Sequence, residues 1–367
     1  MKKTILCQIL ILLAVMLLLL PSASYGLAPD DLLSDAAILI DRNTGQILFE
    51  KNAYTRMYPA STTKIMTALL VIENLDLSES VTVGDEPPLM EGSSISLDFG
   101  EVLTVEQLLY GLLVTSGNDC AAALAIYMSG TQEEFAARMT ERAHQLGAYS
   151  TSFANPHGLH DPSHFTTAYD LAIIANAAMN NETFRRIVST TRYEIPPTNR
   201  QPETRYLNNT NALWPGQEGS DTEILIDGEP DIIAYEYVTG IKTGFTDEAG
   251  RCLVSSARHD GREVISVVMH GQMPGFYQDS KRLLIYGLEE MTTHSLYESG
   301  QILKEIELNN PGRTKVMLIP DRPVSLLLPK ESSPGDIRVD IREIGTPELP
   351  ITANEPIAEM VLSYGGQ

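Results

Sequence analysis

The sequence predicts an α+β fold, in which a large domain of antiparallel strands and flanking helices precedes a small all-β domain. In the large domain, strand patterns come first, several helical patterns follow, and further strands and one last helix close it. This order differs from the regular strand–helix alternation of a parallel sheet. After about residue 295 the chain has many prolines and no long helical pattern. A chain of 367 residues is long enough for both domains.

We divide the chain into a secretory signal peptide, the large domain and the all-β domain, at residues 1–28, 29–292 and 293–367. Lys2 and Lys3 precede an unbroken apolar run from Ile9 to Leu20, and small residues follow that run. The run is shorter than the roughly 18 to 20 residues that a membrane-spanning helix needs, which favours a cleaved signal over an anchor. We therefore expect a secreted protein.

The first half of the large domain is predicted to be a β-hairpin followed by helices. Residues 36–50 alternate apolar and polar around Asn43-Thr-Gly45, as hairpin strands do. A helix with proline at its entrance runs from Pro59 to Glu73. Further helices are predicted at residues 104–115, 119–128 and 131–146. The first and last of these open with capping boxes, and Gly147 is the expected stop of the last.

The second half is predicted to contain a helix at residues 167–179 and then strands. Residues 239–244 and 250–270 have strand patterns, with Asp260-Gly261 as a hairpin turn. A helix follows at about residues 278–290. An acidic stretch with Gly and Pro, residues 215–235, is interpreted as a surface loop or flap. The all-β domain has strand-like segments at residues 315–319, 324–328, 337–344 and 357–364.

Charge and cysteine content limit the classes of partner. With 26 basic and 48 acidic residues the net charge is -22, which argues against nucleic acid or an anionic membrane surface as the main partner. Beyond the signal peptide only Cys120 and Cys252 remain. Two cysteines do not make a disulfide scaffold, so we expect two small buried side chains.

Ser61-Thr-Thr-Lys64 is the first candidate for chemistry, because residues three apart share one face of a helix. It would place an ammonium beside a hydroxyl at a helix start, where free N–H groups favour developing negative charge. The helix is largely apolar, and burial would lower the pKa of Lys64 and supply a neutral amine as general base. Alone this spacing is weak evidence, since it arises about once by chance in a chain of this length.

Two further motifs complete the candidate set. Ser116-Gly-Asn118 lies between two predicted helices, where a hydroxyl can relay a proton and an amide can orient a carbonyl. Its alternative interpretation is a helix-linking turn capped by Asp119. Lys242-Thr-Gly244 ends a predicted strand, whose edge can bind an extended peptide and whose lysine would attract a carboxylate. The alternative there is an ordinary turn. Each motif alone is weak evidence for a site, but the three together, each present once, are strong evidence for an active site.

With these motifs the sequence resembles the low-molecular-weight penicillin-binding proteins of the D-alanyl-D-alanine carboxypeptidase family. The resemblance covers about residues 35–290, and the domain that follows is similar to the family's C-terminal β-domain. It implies a catalytic domain like that of serine β-lactamases and DD-peptidases, with a helical subdomain. Other stretches that carry it are 36–45, 58–68, 155–159, 164–171 and 240–246.

The resemblance also implies a role for each motif residue. Ser61 attacks the carbonyl of the penultimate D-alanine and Lys64 takes its proton, while Ser116 passes a proton to the leaving D-alanine. Asn118 orients the substrate, and Lys242 and Thr243 hold the carboxylate of the substrate. The backbone N–H groups of Ser61 and Phe245 form the oxyanion hole, with Gly244 leaving room for the substrate.

The implied partners are peptidoglycan stem peptides that end in D-Ala-D-Ala, and β-lactams as covalent inhibitors of Ser61. No metal or cofactor is needed, and the implied location is the cell envelope, at the outer face of the cytoplasmic membrane. The family often has a closing strand and an amphipathic membrane-binding helix after a strand such as Ile357–Tyr364. Two interpretations stay open here: a fragment, or a chain that lacks this peripheral membrane anchor.

Several alternatives remain. A class A β-lactamase needs a Glu-x-x-Asn loop between the second and third motifs, and none lies between Asn118 and Lys242. A non-catalytic penicillin sensor would not need Lys64, whereas a DD-endopeptidase would use the same residues. Some relatives carry an Asn-Arg-Asn arginine where this chain has residues 207–211, which leaves the carboxylate-binding set open beyond Lys242 and Thr243. A zinc site at His157, His160, Asp161 and His164 is a weaker alternative, since prolines and Gly158 make that stretch a loop.

Overall fold

A large antiparallel sheet with helices on both faces confirms the predicted α+β fold. The structure is a computed structural model that describes residues 26–307, 315–320, 323–332, 335, 337–344 and 358–364. The predicted signal peptide therefore lies outside the described residues up to residue 25. The α-helices are α1 Lys64–Asn74, α2 Val105–Val114, α3 Asn118–Ser129, α4 Gln132–Gln145, α5 Ala168–Met179, α6 Glu182–Val188 and α7 Gly275–Ile285. Short 3-10 turns are found at Pro29–Asp31, Ala60–Thr63 and Pro87–Leu89, and a π-helical turn at Tyr286–Glu290.

The strands of the large domain form one main sheet and three two-stranded pairs. The strands are β1 Ala36–Asp41, β2 Ile47–Lys51, β3 Ser80–Thr82, β4 Val102–Thr104, β5 Arg192–Ile195, β6 Arg205–Asn208, β7 Glu223–Ile226, β8 Glu229–Ile232, β9 Val238–Thr246, β10 Gly250–His259 and β11 Arg262–Gly271. The main sheet has five strands in the order β2-β1-β11-β10-β9, all pairs antiparallel. Strand β9 therefore forms one edge, which is open to an extended ligand.

Strand β1 shows how the sheet divides the interior into two cores. Ile38 and Ile40 pack in the core shared with helices α1 to α6, whereas Ala37 and Leu39 pack in the core under α7. Successive side chains of a strand point to opposite faces, so both faces of this strand are buried. Helix α5 contacts β1 and β11 on one face, and α7 contacts β10 and β11 on the other.

Helix α1 lies at the centre of the helical part. It contacts α2, α3, α4, α5 and α6, and all its residues from Lys64 to Val71 are buried. The predicted capping box at Thr104 is present. The Thr104 hydroxyl accepts from the backbone N–H of Gln107, and the Gln107 side-chain oxygen accepts from the backbone N–H of Thr104. A lysine at the start of a helix enclosed on all sides is forced into a desolvated position.

The acidic stretch at residues 215–235, which the sequence predicts to be a surface loop or flap, has regular structure. It contains the hairpin β7–β8, closed by Asp227-Gly228 with both residues at positive φ. The hairpin is attached to α7: Lys281 donates to the carbonyls of Ile232 and Ala234 and pairs with Asp231. These bonds fix the insertion against helix α7.

The C-terminal region is rich in strands, as predicted. Its strands are β12 Met291–Tyr297, β13 Lys304–Glu307, β14 Lys315–Leu318, β15 Val324–Pro329, β16 Ile337–Glu343 and β17 Ala358–Tyr364, and they pair β12 with β15, β13 with β14 and β16 with β17. Strand β12 runs across the predicted boundary at residue 292, and the division into domains stays a prediction. Gln46 ties the two parts together through bonds to the backbone of Leu327.

Among the described residues, no helix is both long and apolar enough to cross a membrane.

Candidate active site

Ser61 lies on the 3-10 turn Ala60–Thr63, immediately before α1. Ala60 has a φ of 48°, an uncommon conformation for a residue with a side chain. Two glycines allow close packing on this turn. A Cβ at Gly158 would lie 1.9 Å from the Ala60 carbonyl oxygen, and one at Gly244 would lie 3.0 Å from the Ser61 nitrogen. The serine is therefore held between the loop after α4 and the end of strand β9.

Lys64 is fully buried and bonded to three oxygens. Its Nζ lies 2.9 Å from Ser61 Oγ, 2.6 Å from Asn118 Oδ1 and 2.7 Å from the His157 carbonyl. Among the residues that the structure describes, no carboxylate contacts this amine. Burial holds the pKa of Lys64 well below its usual value, and the charge of Lys242 lowers it further, outweighing the opposite effects of Cys120 and Asp119. A neutral amine beside a hydroxyl is the arrangement that a general base requires.

The Ser116-Gly-Asn118 motif forms the start of α3. Ser116 is buried at a φ of 67°, and Asn118 is the first helical residue. Asn118 accepts from Lys64 through Oδ1 and donates from Nδ2 to the Glu91 carbonyl, 2.6 Å away. Its backbone N–H donates to the Ser93 carbonyl. The amide therefore links Lys64 to the segment around residues 91–93.

Asp119 holds that segment in place. Its carboxylate accepts from the backbone N–H groups of Ile95 and Leu97 and from the hydroxyl of Ser94. The sequence analysis considered Asp119 only as a helix cap. Its side chain instead organises the loop that leads into one wall of the site.

The third motif lies on the edge strand β9. Lys242 is buried and its Nζ donates to the Thr243 carbonyl, 3.0 Å away. Burial lowers the pKa of Lys242 to about 7. The Thr243 hydroxyl lies 2.7 Å from that of Thr210, and Phe245 is 48% exposed. The motif thus offers a threonine and an open strand edge to the solvent, with its lysine behind them.

These elements enclose a cleft of about 1160 Å³. Six of the predicted residues line it: Ser61, Ser116, Asn118, Thr243, Gly244 and Phe245. Lys64 and Lys242 lie behind this lining. The lining also includes residues 216–219 of the insertion and the aromatic residues Phe276 and Tyr277. The structure therefore brings all eight predicted residues to one cleft, six in its wall and two lysines beneath it.

The histidine-bearing loop has no metal-site geometry. Among the described residues no group of three or more His, Cys, Asp or Glu side chains is placed to hold a metal ion. His164 instead bonds the Thr63 hydroxyl through Nε2 and accepts from the Ala154 N–H through Nδ1. Burial lowers the pKa of His157 to about 3 and that of His164 to about 4, so both rings are neutral near pH 7. The loop is a support for the Ser61 turn.

A model of the D-alanyl-D-alanine carboxypeptidase family, peptidase S11, matches residues 24–273. The chain belongs to this family. As a member of the D-alanyl-D-alanine carboxypeptidase family it is a serine-type hydrolase, which confirms the resemblance found in the sequence.

Individual members of the family agree with this assignment. D-alanyl-D-alanine carboxypeptidase DacF of Bacillus subtilis is 32% identical over 338 residues, which are 90% of this chain and 82% of that protein. The D-alanyl-D-alanine carboxypeptidase of Streptomyces sp. strain K15 is 34% identical over 264 residues, 68% of this chain and 84% of that protein. The solved structure of penicillin binding protein 5 from Haemophilus influenzae superposes with a TM-score of 0.72 at 27% identity, covering 93% of this chain and 96% of that one.

The sequence analysis missed several residues of this family member's cleft. The His157 carbonyl contacts Lys64, and Thr210 contacts Thr243, but a backbone oxygen and a lone threonine leave no sequence signal. Arg192 and Arg251 also line the cleft. Arg251 lies on the strand that follows the third motif, and its position opposite Phe245 is a signal that strand register alone could have supplied.

Proposed function

We propose that this protein removes the terminal D-alanine from peptidoglycan stem peptides through an acyl-enzyme on Ser61. The observation that carries the proposal is the 2.9 Å contact between the Ser61 hydroxyl and the fully buried amine of Lys64. Desolvation lowers the pKa of Lys64 and so favours the neutral amine, which is the form that can accept a proton. Family membership supplies the substrate class.

In the acylation step Lys64 takes the hydroxyl proton while Ser61 Oγ bonds to the carbonyl carbon of the penultimate D-alanine. The backbone N–H groups of Ser61 and Phe245 stabilise the resulting oxyanion. The proton then passes through Ser116 to the leaving nitrogen, and the bond to the terminal D-alanine breaks. Asn118 keeps Lys64 directed at Ser61 and orients the substrate.

Lys242 and Thr243 hold the carboxylate of the terminal D-alanine in this proposal, with the peptide along the open edge of β9. Water then attacks the ester on Ser61 and returns its proton to the enzyme. β-Lactams acylate the same serine. Their amine stays attached to the acyl group after the ring opens, so no leaving group departs and the ester on Ser61 is hydrolysed slowly. The scheme requires no metal or cofactor.

Three other outcomes on the same fold are the alternatives: a β-lactamase, a non-catalytic penicillin sensor and an endopeptidase that cuts cross-links. A transpeptidase is a further one, since the structure of a mutant Streptomyces K15 DD-transpeptidase superposes at 31% identity with a TM-score of 0.62. It would differ only in the acceptor, an amine instead of water. The enclosed Lys64 favours an enzyme over a sensor, because a binding protein has no need of a buried base.

The test incubates the protein with a pentapeptide ending in D-Ala-D-Ala and, separately, with fluorescent penicillin. We expect release of one D-alanine per peptide and a stable label on Ser61, both lost in Ser61→Ala. Ser129→Ala is the matched control, because Ser129 ends α3, at the opposite end of that helix from Asn118, and its side chain bonds only Arg138 among the described residues. It should retain both activities.

The alternatives give different results. Label without D-alanine release identifies a sensor, and rapid turnover of penicillin identifies a β-lactamase. A cross-linked dimeric peptide that is cut faster than the pentapeptide identifies an endopeptidase, and an added amine that captures the acyl group identifies a transpeptidase. Absence of label from the wild type contradicts the proposal as a whole.

We also propose that the protein acts outside the cytoplasm, where its substrate lies, and associates peripherally with the membrane. Family membership supports the location outside the cytoplasm, and the membrane association rests on the resemblance of the sequence to relatives that carry a membrane-binding helix. Cell fractionation tests it: the protein should partition with the envelope and be released by high salt or carbonate. Recovery from the cytoplasmic fraction would contradict it.

A further inference from the structure

The charge of the substrate carboxylate is not fully accounted for by the lysine of the third motif. Lys242 lies behind the wall of the cleft, its amine is bonded to the Thr243 carbonyl, and its pKa is lowered to about 7 by burial. Near neutral pH a substantial fraction of molecules therefore has an uncharged Lys242. A receptor for a permanent anion needs a cation that keeps its charge.

Two cationic side chains line the described part of the cleft, Arg192 and Arg251. Arg192 is committed elsewhere: its guanidinium lies 3.7 Å from the carboxylate of Glu194 and over the ring of Tyr206. Arg251 has no hydrogen bond or ion pair from its side chain to any residue that the structure describes. Its guanidinium instead lies 4.2 Å from the centre of the Phe245 ring.

The register of the sheet places Arg251 beside the third motif. Arg251 on β10 is paired with Phe245 on β9, and Leu253 is paired with Thr243. Paired residues in an antiparallel sheet, and residues two apart on one strand, point to the same face. Arg251 therefore shares a face with Thr243, roughly 7 Å away along the strand, which is within reach of an arginine side chain.

Neutral hydrogen-bonding groups surround the same place. The Thr243 and Thr210 hydroxyls are 2.7 Å apart, and the Tyr277 hydroxyl donates to the Thr210 carbonyl. Glu218 is the one acidic side chain among the described residues that line the cleft. A guanidinium resting on an aromatic ring keeps its N–H edges free, and those edges match a carboxylate in a two-point contact.

We propose that Arg251, supported by the ring of Phe245, is the permanent cation that binds the terminal carboxylate of the substrate together with Thr243. This inference rests on the proposed function and adds a specificity-determining residue to it. The alternative is that Arg251 only packs on Phe245 at the surface.

The experiment compares a blocked tripeptide ending in D-Ala-D-Ala with its C-terminal amide, which lacks the negative charge. For Arg251→Gln we expect kcat/KM on the acid to fall about 100-fold, because a charge-assisted hydrogen-bond pair is lost. On the amide the change should stay within about threefold, because the carboxylate is absent. Arg251→Lys should lie between the two, since it restores charge without the planar two-point contact.

Arg258→Gln is the matched control, because Arg258 is exposed at the opposite end of the same strand. It should keep the wild-type preference for the acid. An equal loss on acid and amide in Arg251→Gln would show a purely structural role, and no loss on either would show a surface residue; both overturn the inference. If the wild type hydrolyses the acid, these results leave the proposed function intact. If the wild type cleaves neither peptide, the proposed function fails and the inference fails with it.

Discussion

The two buried lysines of the site, Lys64 and Lys242, have similar burial but different surroundings. Lys64 contacts a serine hydroxyl, an asparagine amide and a loop carbonyl, which come from distant parts of the chain. Lys242 contacts one carbonyl of the neighbouring residue on its own strand. Burial lowers the pKa of both. The first amine is fully surrounded before any ligand arrives, whereas the described residues accept only one hydrogen bond from the second.

This difference indicates two kinds of function for the same side chain. A base must be aligned with its nucleophile in advance, because misplacement raises the barrier of the chemical step. A group that binds an anion gains its partner from the substrate, so its resting contacts can be few. The predictions below test this difference, from the largest expected effect to the smallest.

Lys64→Met should cause the largest loss. Removing the base, with a side chain of similar length, should reduce both penicillin labelling and D-alanine release by about 1,000-fold or more. Rates of acylation by fluorescent penicillin measure this directly. Circular dichroism and thermal unfolding of the variant are the control, because Met leaves the buried oxygens of Asn118 and His157 without their donor and the variant must be shown to be folded. A variant that still acylates within tenfold of wild type would exclude Lys64 as the base.

Lys242→Gln should have a smaller effect that depends on substrate charge. We expect kcat/KM on the acid peptide to fall about 30-fold at pH 6, where Lys242 is charged, and to change little on the amide. The acid-to-amide ratio is the measured quantity. Equal losses on the two peptides would mean that Lys242 acts on the chemistry instead of on the carboxylate.

The pH dependence separates the two lysines further. Lys64 must be neutral to act, so kcat/KM falls as pH drops through its lowered pKa. Lys242 must be protonated to bind the carboxylate, so kcat/KM on the acid falls as pH rises through about 7. The advantage of wild type over Lys242→Gln should therefore disappear by about pH 9, two pH units above that pKa. A difference that persists unchanged to pH 9 would contradict the low pKa of Lys242.

Gly244→Ala should have the smallest effect of the four. Its Cβ would lie 3.0 Å from the Ser61 nitrogen and 3.1 Å from the Pro59 carbonyl oxygen, so the serine turn must shift by a few tenths of an ångström. We expect about a tenfold loss of acylation rate. Gly84→Ala is the matched control, because a Cβ there meets nothing within 4 Å. Equal rates for the two variants would show that the close approach is not required.

Much of the fold and site could be predicted from the sequence because their signals are local. The capping boxes, the Asp260-Gly261 turn and the hydrophobic periods all act over a few residues, and the corresponding helices and strands are present. The three motifs are recognisable as short sequence patterns, and the family resemblance implies that they meet in one cleft. The 3-10 turn at Ser61 was missed because it continues directly into α1.

Other features depend on contacts that no local pattern reports. The short helix α6 has only seven residues and too few turns for a clear period. The sequence predicts a surface loop or flap where the structure has the hairpin β7–β8, although its Asp227-Gly228 turn is of the same kind as the predicted Asp260-Gly261 turn. The acidic composition of this stretch favours a loop, and that signal is stronger than the short turn pattern. Arg251 was missed because its importance comes from strand register, which pairs it with a residue on another strand.

The three bonds of Lys64 have a consequence for measuring folding. They join residues 54 and 93 positions away in sequence to one amine, so acylation requires that α1, α3 and the loop after α4 all be in place. Covalent penicillin label therefore counts correctly assembled molecules in a preparation. The fraction labelled during refolding should rise with the final side-chain packing and lag behind the recovery of helical circular dichroism. Penicillin labelling can thus be used to measure the fraction of correctly folded protein.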